Sequence, residues 1–177
     1  GQIPLIEDTV YLGVGYANLN RDGFGEYLVS ALPNQDKENY NKDLWAARVT
    51  LEVHPSEDLF FRIGWDKTED TSNAKGGYRL IPSILTDAPV PDSVFDSYTS
   101  LPTWNKVELE GYNWLARYQV NDDLELKYIG SHRESYSPTN IDFDNTPLPI
   151  FDVPAEYDDS NDTHELQANY MGDTFSV

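Results

Sequence analysis

The stretch LWAARVTLEVHPSEDLFFRIGWD, residues Leu44–Asp66, decides the fold. Alternate residues are apolar on both sides of a short turn at Pro55–Glu57, and the residues between them include ionised side chains. A period of two places successive side chains on opposite faces of an extended strand. The stretch therefore predicts a β-hairpin whose apolar face consists of Trp45, Ala47, Val49, Leu51, Val53, Leu59, Phe61, Ile63 and Trp65.

The same alternation recurs along the rest of the chain, and no amphipathic helix is evident. Further strands are predicted at about 10–18, 112–120, 124–133 and 165–170, and another begins near Phe175. Short turns are predicted at Pro4–Asp8, 55–57, 121–123 and 171–173, and long polar loops at about 19–42, 68–110 and 134–162. Because short turns and long loops alternate, an up-and-down sheet would carry all long loops at one end.

Composition excludes several classes of function. The chain of 177 residues has 12 basic and 31 acidic side chains, a net charge of −19, so we expect no nucleic-acid partner. It has no cysteine, which excludes disulfides, thiolate zinc sites and a cysteine nucleophile. No apolar run is long enough for a transmembrane helix. No signal peptide is visible at Gly1, so we expect a mature or truncated product.

Long polar loops that alternate with short turns are typical of transmembrane β-barrels. The apolar face of the predicted strands carries no Asp, Glu, Lys or Arg, as a surface in contact with lipid requires. The opposite face is expected to line the lumen, with polar residues Arg48, Glu52, Arg62, Asp66, Arg117, Lys127 and Arg133.

Large aromatic residues stand next to the long loops on the apolar face. Tyr16 and Trp65 close strands that run toward these loops, and Trp45 and Trp114 open strands that run away from them. We expect these four residues to form an aromatic belt at the membrane boundary, where amphipathic rings are most stable.

The predicted fold is all-β, an antiparallel up-and-down segment of a transmembrane β-barrel. Residues 1–177 would be part of one barrel domain with about six or seven strands. Eight strands are the usual minimum for closure and leave little lumen. We therefore expect the segment to belong to a larger barrel, with strands missing on both sides.

Four blocks of the sequence resemble the early barrel region of TonB-dependent outer-membrane receptors. They are GQIPLIEDTVYLGVGYANLNRDGFGEYLVS, ENYNKDLWAARVTLEVHPSEDLFFRIGWDKTEDTSNAKGGYRLIP, GYNWLARYQVNDDLELKYIGSHRESY and DDSNDTHELQANYMGD. The resemblance implies a 22-stranded barrel in the bacterial outer membrane with an N-terminal plug, and no catalysis. It implies import of a small nutrient, such as a ferric siderophore (iron uptake), cobalamin or a glycan, driven by TonB. The TonB box, the plug and the later strands are absent here, so contact with TonB would involve the missing N-terminal region.

Ligand contacts are expected on the 68–110 loop, where Tyr78, Arg79 and Trp104 could stack on a solute or pair with it. The alternative is that these side chains pack the loop against itself. Asp158, Ser160 and Asp162 are weak candidates for a loosely bound Ca²⁺, and Asp142 with Asp144 weaker ones. The Gly and closing Glu of an EF-hand are missing, and no other cofactor is expected. The acidic 134–162 loop could also bridge lipopolysaccharide, an expected partner with outer-membrane lipid, through divalent ions.

The acids Glu52 and Asp66 could form a catalytic pair, but cross-strand ion pairs with Arg48 and Arg62 are the stronger prediction. Two other classes of protein stay open. A soluble, secreted β-sandwich that binds carbohydrate would turn the same apolar face inward. An outer-membrane lipase or protease would need a Ser/His/Asp-like set at the outer rim, and the sequence offers no persuasive one.

Overall fold

The computed structural model describes residues 1–29 and 36–172, and within these ranges it contains ten β-strands and no helix. The strands are β1 (Gln2–Ile6), β2 (Val10–Arg21), β3 (Gly25–Val29), β4 (Glu38–Asn39), β5 (Lys42–Ser56), β6 (Leu59–Asp70), β7 (Ser97–Tyr98), β8 (Val107–Asn121), β9 (Leu124–Asp142) and β10 (Asp152–Tyr170). The all-β prediction is therefore confirmed. The described residues include no helix of the length and apolarity needed to cross a bilayer.

Seven strands form one sheet in the order β1-β2-β5-β6-β8-β9-β10, and every neighbouring pair is antiparallel. Each strand pairs with the next long strand along the chain, as in an up-and-down sheet. The short strands β4, β3 and β7 form a second sheet within the long loops.

The register of the large sheet places the apolar residues on one face. One row of paired residues runs from Leu12 through Leu51 and Ile63 to Trp114. Because side chains alternate along each strand, residues two positions away in every strand join the same face. The alternation read from the sequence thus describes a single apolar surface that crosses the sheet.

No layer of the described chain covers this apolar face. Val49 is 37% exposed, Phe61 39% and Ile63 57%. The buried aromatic side chains among the described residues, Tyr27 and Tyr98, belong to the small sheet in the loops. The sheet therefore has no core of its own on its apolar side.

Successive hairpin turns are staggered by a constant amount. Val10 is the first residue after the first turn. The residues paired with it across the sheet include Phe61 in β6 and Tyr128 in β9. Phe61 lies two residues after Leu59, where β6 begins, and Tyr128 lies four residues after Leu124, where β9 begins. The turns thus step by two residues for every two strands, or about one residue per strand.

Several strands extend beyond their predicted bounds. The predicted loop over 134–162 shrinks to 143–151, because β9 and β10 continue as a ladder of 19 paired residues. In the middle of this hairpin, where residues 131–135 pair with 159–163, both faces are polar, so the sequence carries no alternation there. Its cross-strand contacts include Ser131 Oγ to Thr163 Oγ1 at 2.7 Å.

At the N-terminus, Pro4 lies in β1, and the expected turn at Pro4–Asp8 is confined to residues 7–9. The predicted strand near Phe175 lies outside the described residues, as does part of the turn at 171–173. The seventh strand of the sheet is β1 instead.

The long loops fold into a unit that we call the loop cap, residues 22–29, 36–41, 71–106 and 143–151. Its interior is polar and hydrogen-bonded. Asn39 is fully buried, and its side-chain amide donates to Phe95 O at 2.8 Å and accepts from Gly76 N at 3.1 Å. The Tyr27 hydroxyl donates to Ala74 O at 2.6 Å. Amides and hydroxyls thus join the segments of the cap, beside a small aromatic cluster in which Phe24 stacks on Tyr40.

The cap is bound to the far end of the β9–β10 hairpin. Ser100 N donates to Asp142 Oδ2 at 3.2 Å, and Ser100 Oγ donates to Asp152. Arg79 Nη1 donates to Asp144 O at 2.5 Å. The far end of this hairpin therefore supports the 71–106 loop through hydrogen bonds.

Gly130 is required by the close approach of an indole ring. The Trp114 side chain lies across Gly130, and a Cβ there would be 2.2 Å from Trp114 Nε1. A Cβ at Gly15, also in a strand of the sheet, would meet only the Cβ of Arg48 at 4.0 Å.

Gly130→Ala should lower the free energy of unfolding by about 1–3 kcal/mol, because the indole must leave its position. Gly15→Ala is the matched control, and it should be neutral or slightly stabilising, since Ala is favoured over Gly in strands. Urea unfolding followed by circular dichroism measures both changes. Equal effects of the two substitutions would contradict this account of Gly130.

Candidate functional site

The polar face of the sheet carries the predicted lumen residues, and its clearest ion pair spans three strands. Arg133 Nη2 donates to Asp66 Oδ1 at 2.8 Å and to Oδ2 at 3.0 Å. Gly111 stands between them in the same row, and a Cβ there would lie 3.1 Å from the Arg133 side chain. The glycine lets the arginine cross β8 to reach β6.

The predicted cross-strand ion pairs with Arg48 and Arg62 are not formed, although the register places Arg48 opposite Asp66 and Arg62 opposite Glu52. All four residues belong to the described chain, and among its ion pairs only Asp66 takes part, with Arg133. Arg133, more distant in sequence, approaches both oxygens of Asp66 with the single nitrogen Nη2, a charge-assisted hydrogen bond. Arg48, Glu52 and Arg62 instead line an open depression of about 350 Å³ over Gly64.

Nearer the short turns, the polar face mixes charge with aromatic rings. The Arg117 guanidinium lies 5.3 Å from the centre of the Phe60 ring. Arg117 and Lys127 both approach Glu125, at 3.7 and 3.5 Å. These two predicted lumen residues therefore share the carboxylate of Glu125 on the polar face.

The four aromatic residues predicted for a belt do lie on the apolar face, but in different rows. Trp45 pairs with Glu69, four residues beyond Trp65, and Trp65 pairs with Tyr112, two residues before Trp114. Tyr16 pairs with Ala47, next but one to Trp45. From β5 through β6 to β8, each tryptophan therefore lies farther from the long loops than the one before. The hairpin turns are displaced in the same direction.

The predicted ligand contacts of the 68–110 loop separate into two groups. The Tyr78 hydroxyl donates to Pro91 O at 3.2 Å, and Arg79 is tied to Asp144, so both serve the cap itself. Trp104 is 52% exposed, and only its backbone carbonyl is engaged, by Asn140 Nδ2 at 3.2 Å. Of the three, Trp104 has an indole ring free to meet a ligand.

A pocket of about 320 Å³ lies where the cap meets the sheet. Lys42 and Asp70, at the ends of β5 and β6, form one wall, and residues 72–75 and Asn105 of the cap form another. Residues 139–142 of β9 close the third side. The sequence did not point to this pocket, because its walls come from segments up to 100 residues apart.

The pKa values of two carboxylates of the pocket are shifted in opposite directions. Partial burial opposes the charged form of Asp70, but hydrogen bonds from Lys42 Nζ at 2.8 Å and from Ser72 outweigh it and lower its pKa. Burial raises the pKa of Asp142, despite the N–H groups of Asn145 and Ser100 that donate to it.

One acidic cluster among the described residues has the spacing of a cation site. Oxygens of Asp142, Asp144 and Asp152 lie within 4.8 Å of one another, and Asp152 Oδ1 is buried without a hydrogen-bond partner. Two members, Asp142 and Asp144, were weighed from the sequence. The oxygens already accept hydrogen bonds from the cap, which accounts for most of their arrangement.

The other predicted Ca²⁺ ligands, Asp158, Ser160 and Asp162, lie in strand β10 rather than in a loop. Alternate residues of a strand are about 7 Å apart, too far for a shared ion. Asp162 instead contacts His132 Nδ1 at 2.8 Å. His132 and His164 lie within the β9–β10 hairpin, on adjacent strands.

Comparison of the chain with models of protein families, with curated proteins and with solved structures finds no match.

Asp142 provides a test of the cap by pH. Because its pKa is raised on folding, the folded chain holds the proton more tightly than the unfolded chain. The stability that this group contributes is therefore fully present below its ordinary pKa and is lost as pH rises through the folded-state value. The asparagine of Asp142→Asn stays neutral at every pH. The thermal midpoint of the variant, relative to that of the wild type, should therefore rise between about pH 3.5 and 7. A constant difference over that range would contradict the raised pKa.

Proposed function

We propose that this chain is a wall segment of an outer-membrane β-barrel that takes up a scarce nutrient with energy supplied through TonB. The observation that carries the proposal is the uncovered apolar face of the seven-stranded sheet. Exposure of such a face to water costs about 25 cal/mol per Å², and acyl chains remove that cost. Since hydrocarbon cannot hydrogen-bond a free strand edge, a closed barrel is the form that lipid requires.

The stagger of the turns supports a barrel. A step of about one residue, or 3.4 Å, per strand spacing of about 4.8 Å corresponds to a strand tilt of about 35°. Transmembrane barrels have tilts of about 35–45°. On β8 the outward residues from Tyr112 to Val120 span about 27 Å along the strand, or about 22 Å in height at this tilt, close to the usual apolar band of about 25 Å.

The upper limit of the apolar face also supports a membrane boundary. Two residues beyond Trp65 on the same face is Lys67, and two residues before Tyr112 is Glu110. Glu110 accepts hydrogen bonds from Trp65 Nε1 at 2.9 Å, Lys67 Nζ at 3.2 Å and Tyr112 Oη at 3.3 Å. The rings thus stay with the apolar band while their polar atoms meet ionised groups, as aromatic residues do at lipid headgroups.

The nutrient, the TonB partner and the larger 22-stranded barrel rest on the resemblance to TonB-dependent receptors. In that frame the loop cap lies outside the cell, the polar face lines the lumen, and lipid with lipopolysaccharide surrounds the apolar face. The polar face agrees with such a role, because Asp66 and Arg133 pair there across a glycine. The proposed ligand classes are ferric siderophores, cobalamin and glycans.

The soluble carbohydrate-binding sandwich has less support. It needs a second sheet against Val49, Phe61 and Ile63, and the small β4-β3-β7 sheet belongs to the cap. Within the described residues this face therefore lacks the layer that a sandwich requires.

Leu51→Arg tests the outward orientation, with Thr50→Arg as the matched control one residue away on the polar face. Arginine at the bilayer midplane costs about 2–4 kcal/mol, whereas the lumen accepts it. We expect Leu51→Arg to reduce the folded protein in the outer-membrane fraction of expressing cells, and Thr50→Arg to leave it near wild type.

Two outcomes of that fractionation would contradict the proposal. One is release of the wild-type protein from cells without detergent, which the sandwich predicts. The other is a larger loss for Thr50→Arg than for Leu51→Arg, which would mean that the polar face is the buried one.

A further inference from the structure

We infer that the pocket between the loop cap and β9 binds a neutral, polyhydroxylated ligand, a carbohydrate. This deepens the proposed function by choosing among its ligand classes. The binding itself stands on the geometry of the cap, and only the import of the bound sugar rests on the proposed function.

The charges of the pocket cancel. Lys42 Nζ and Asp70 Oδ2 are 2.8 Å apart and neutralise each other. The other charged residues of the lining, Lys75 and Asp142, have opposite signs. An anionic ferric chelate finds no excess of positive charge here, and a cation finds no excess of negative charge. The lining therefore favours a ligand without net charge.

The remaining polar groups suit hydroxyls. Asn105 makes no side-chain hydrogen bond with any described residue and lines the pocket with a free donor and acceptor. Asn140 uses its Nδ2 on Trp104 O, which leaves its Oδ1 as an acceptor, and Thr139 adds a hydroxyl. Sugar hydroxyls both donate and accept, so amide and hydroxyl side chains satisfy them in pairs.

The walls are fixed before a ligand arrives. Ser72 N donates to Asp70 Oδ1 at 2.9 Å. The Asn73 amide donates to Asp36 Oδ2 at 2.8 Å and to Glu38 O at 2.9 Å. A preformed pocket spends little free energy on ordering. Its volume of about 320 Å³ is at the lower end of the usual range for ligand sites and fits one or two sugar rings.

Trp104 precedes Asn105 and is half exposed. An indole face carries negative π-density, which attracts the C–H face of a pyranose ring. The Trp104 ring is not part of the pocket lining, but its backbone carbonyl is bound by Asn140 of that lining. We assign the exposed indole as a stacking platform for the part of the ligand that extends outside the pocket.

The test is calorimetric titration of the full chain in detergent micelles with maltohexaose, cellohexaose, xylohexaose and chitohexaose. A trianionic ferric tricatecholate is the contrasting probe. We expect at least one oligosaccharide to bind and the ferric chelate not to bind. Asn105→Ala and Trp104→Ala should each weaken binding about tenfold or more. Asn18→Ala, which removes an exposed asparagine from β2, is the matched control and should leave affinity unchanged.

Both substituted side chains lie outside the buried interior, so we expect the variants to fold. Circular dichroism of each sample checks this. Absence of oligosaccharide binding at millimolar concentration, or binding of the ferric chelate alone, would overturn the inference. Wild-type affinity in Asn105→Ala would overturn the site, and wild-type affinity in Trp104→Ala would overturn the stacking role. If the chain binds sugar but is not found in the outer-membrane fraction, the proposed function is contradicted and the assignment of the pocket is retained.

Discussion

The backbone ladder of the seven-stranded sheet is the constraint on which the rest of the structure depends. Antiparallel pairing fixes which residues are opposite, and a shift of one position would move every side chain to the other face. In the observed register, Leu12, Leu51 and Ile63 meet in one row, and the ionised residues fall together on the reverse side. The same ladder sets the stagger of the turns, and with it the tilt that relates this sheet to a barrel wall.

Glycines let long side chains lie flat on this ladder. Arg133 crosses Gly111 to reach Asp66, Asn113 lies over Gly64, and the Trp114 indole lies over Gly130. A Cβ would clash at Gly130 and Gly64 and would be tight against Arg133 at Gly111, although none of these glycines has a positive φ. Space above the sheet, rather than backbone freedom, is therefore what these glycines provide.

The loop cap solves a different problem, because it is ordered with few buried apolar side chains and no disulfide. Buried amides and hydroxyls such as Asn39 and Ser97 join distant segments by hydrogen bonds. Such bonds depend on direction, so the cap is held in one shape where it meets β9. A pocket with fixed polar walls is the consequence, and Trp104 beside it keeps its ring exposed.

The sequence by itself determined the strands that carry an apolar face, since alternation from Trp45 to Trp65 admits one pairing that keeps that face intact. It did not determine the length of β9 and β10, because the polar stretches 131–135 and 159–163 in the middle of that ladder have no periodic signal. It also predicted cross-strand ion pairs with Arg48 and Arg62, whereas the tertiary structure pairs Asp66 with Arg133 across Gly111. Arg79 likewise became a support of the cap only when Asp144, 65 positions away, came into contact with it, and Tyr78 when its hydroxyl met the carbonyl of Pro91. Local periodicity follows from the pleat of one strand, but partners in polar contacts depend on which distant segments the fold brings together.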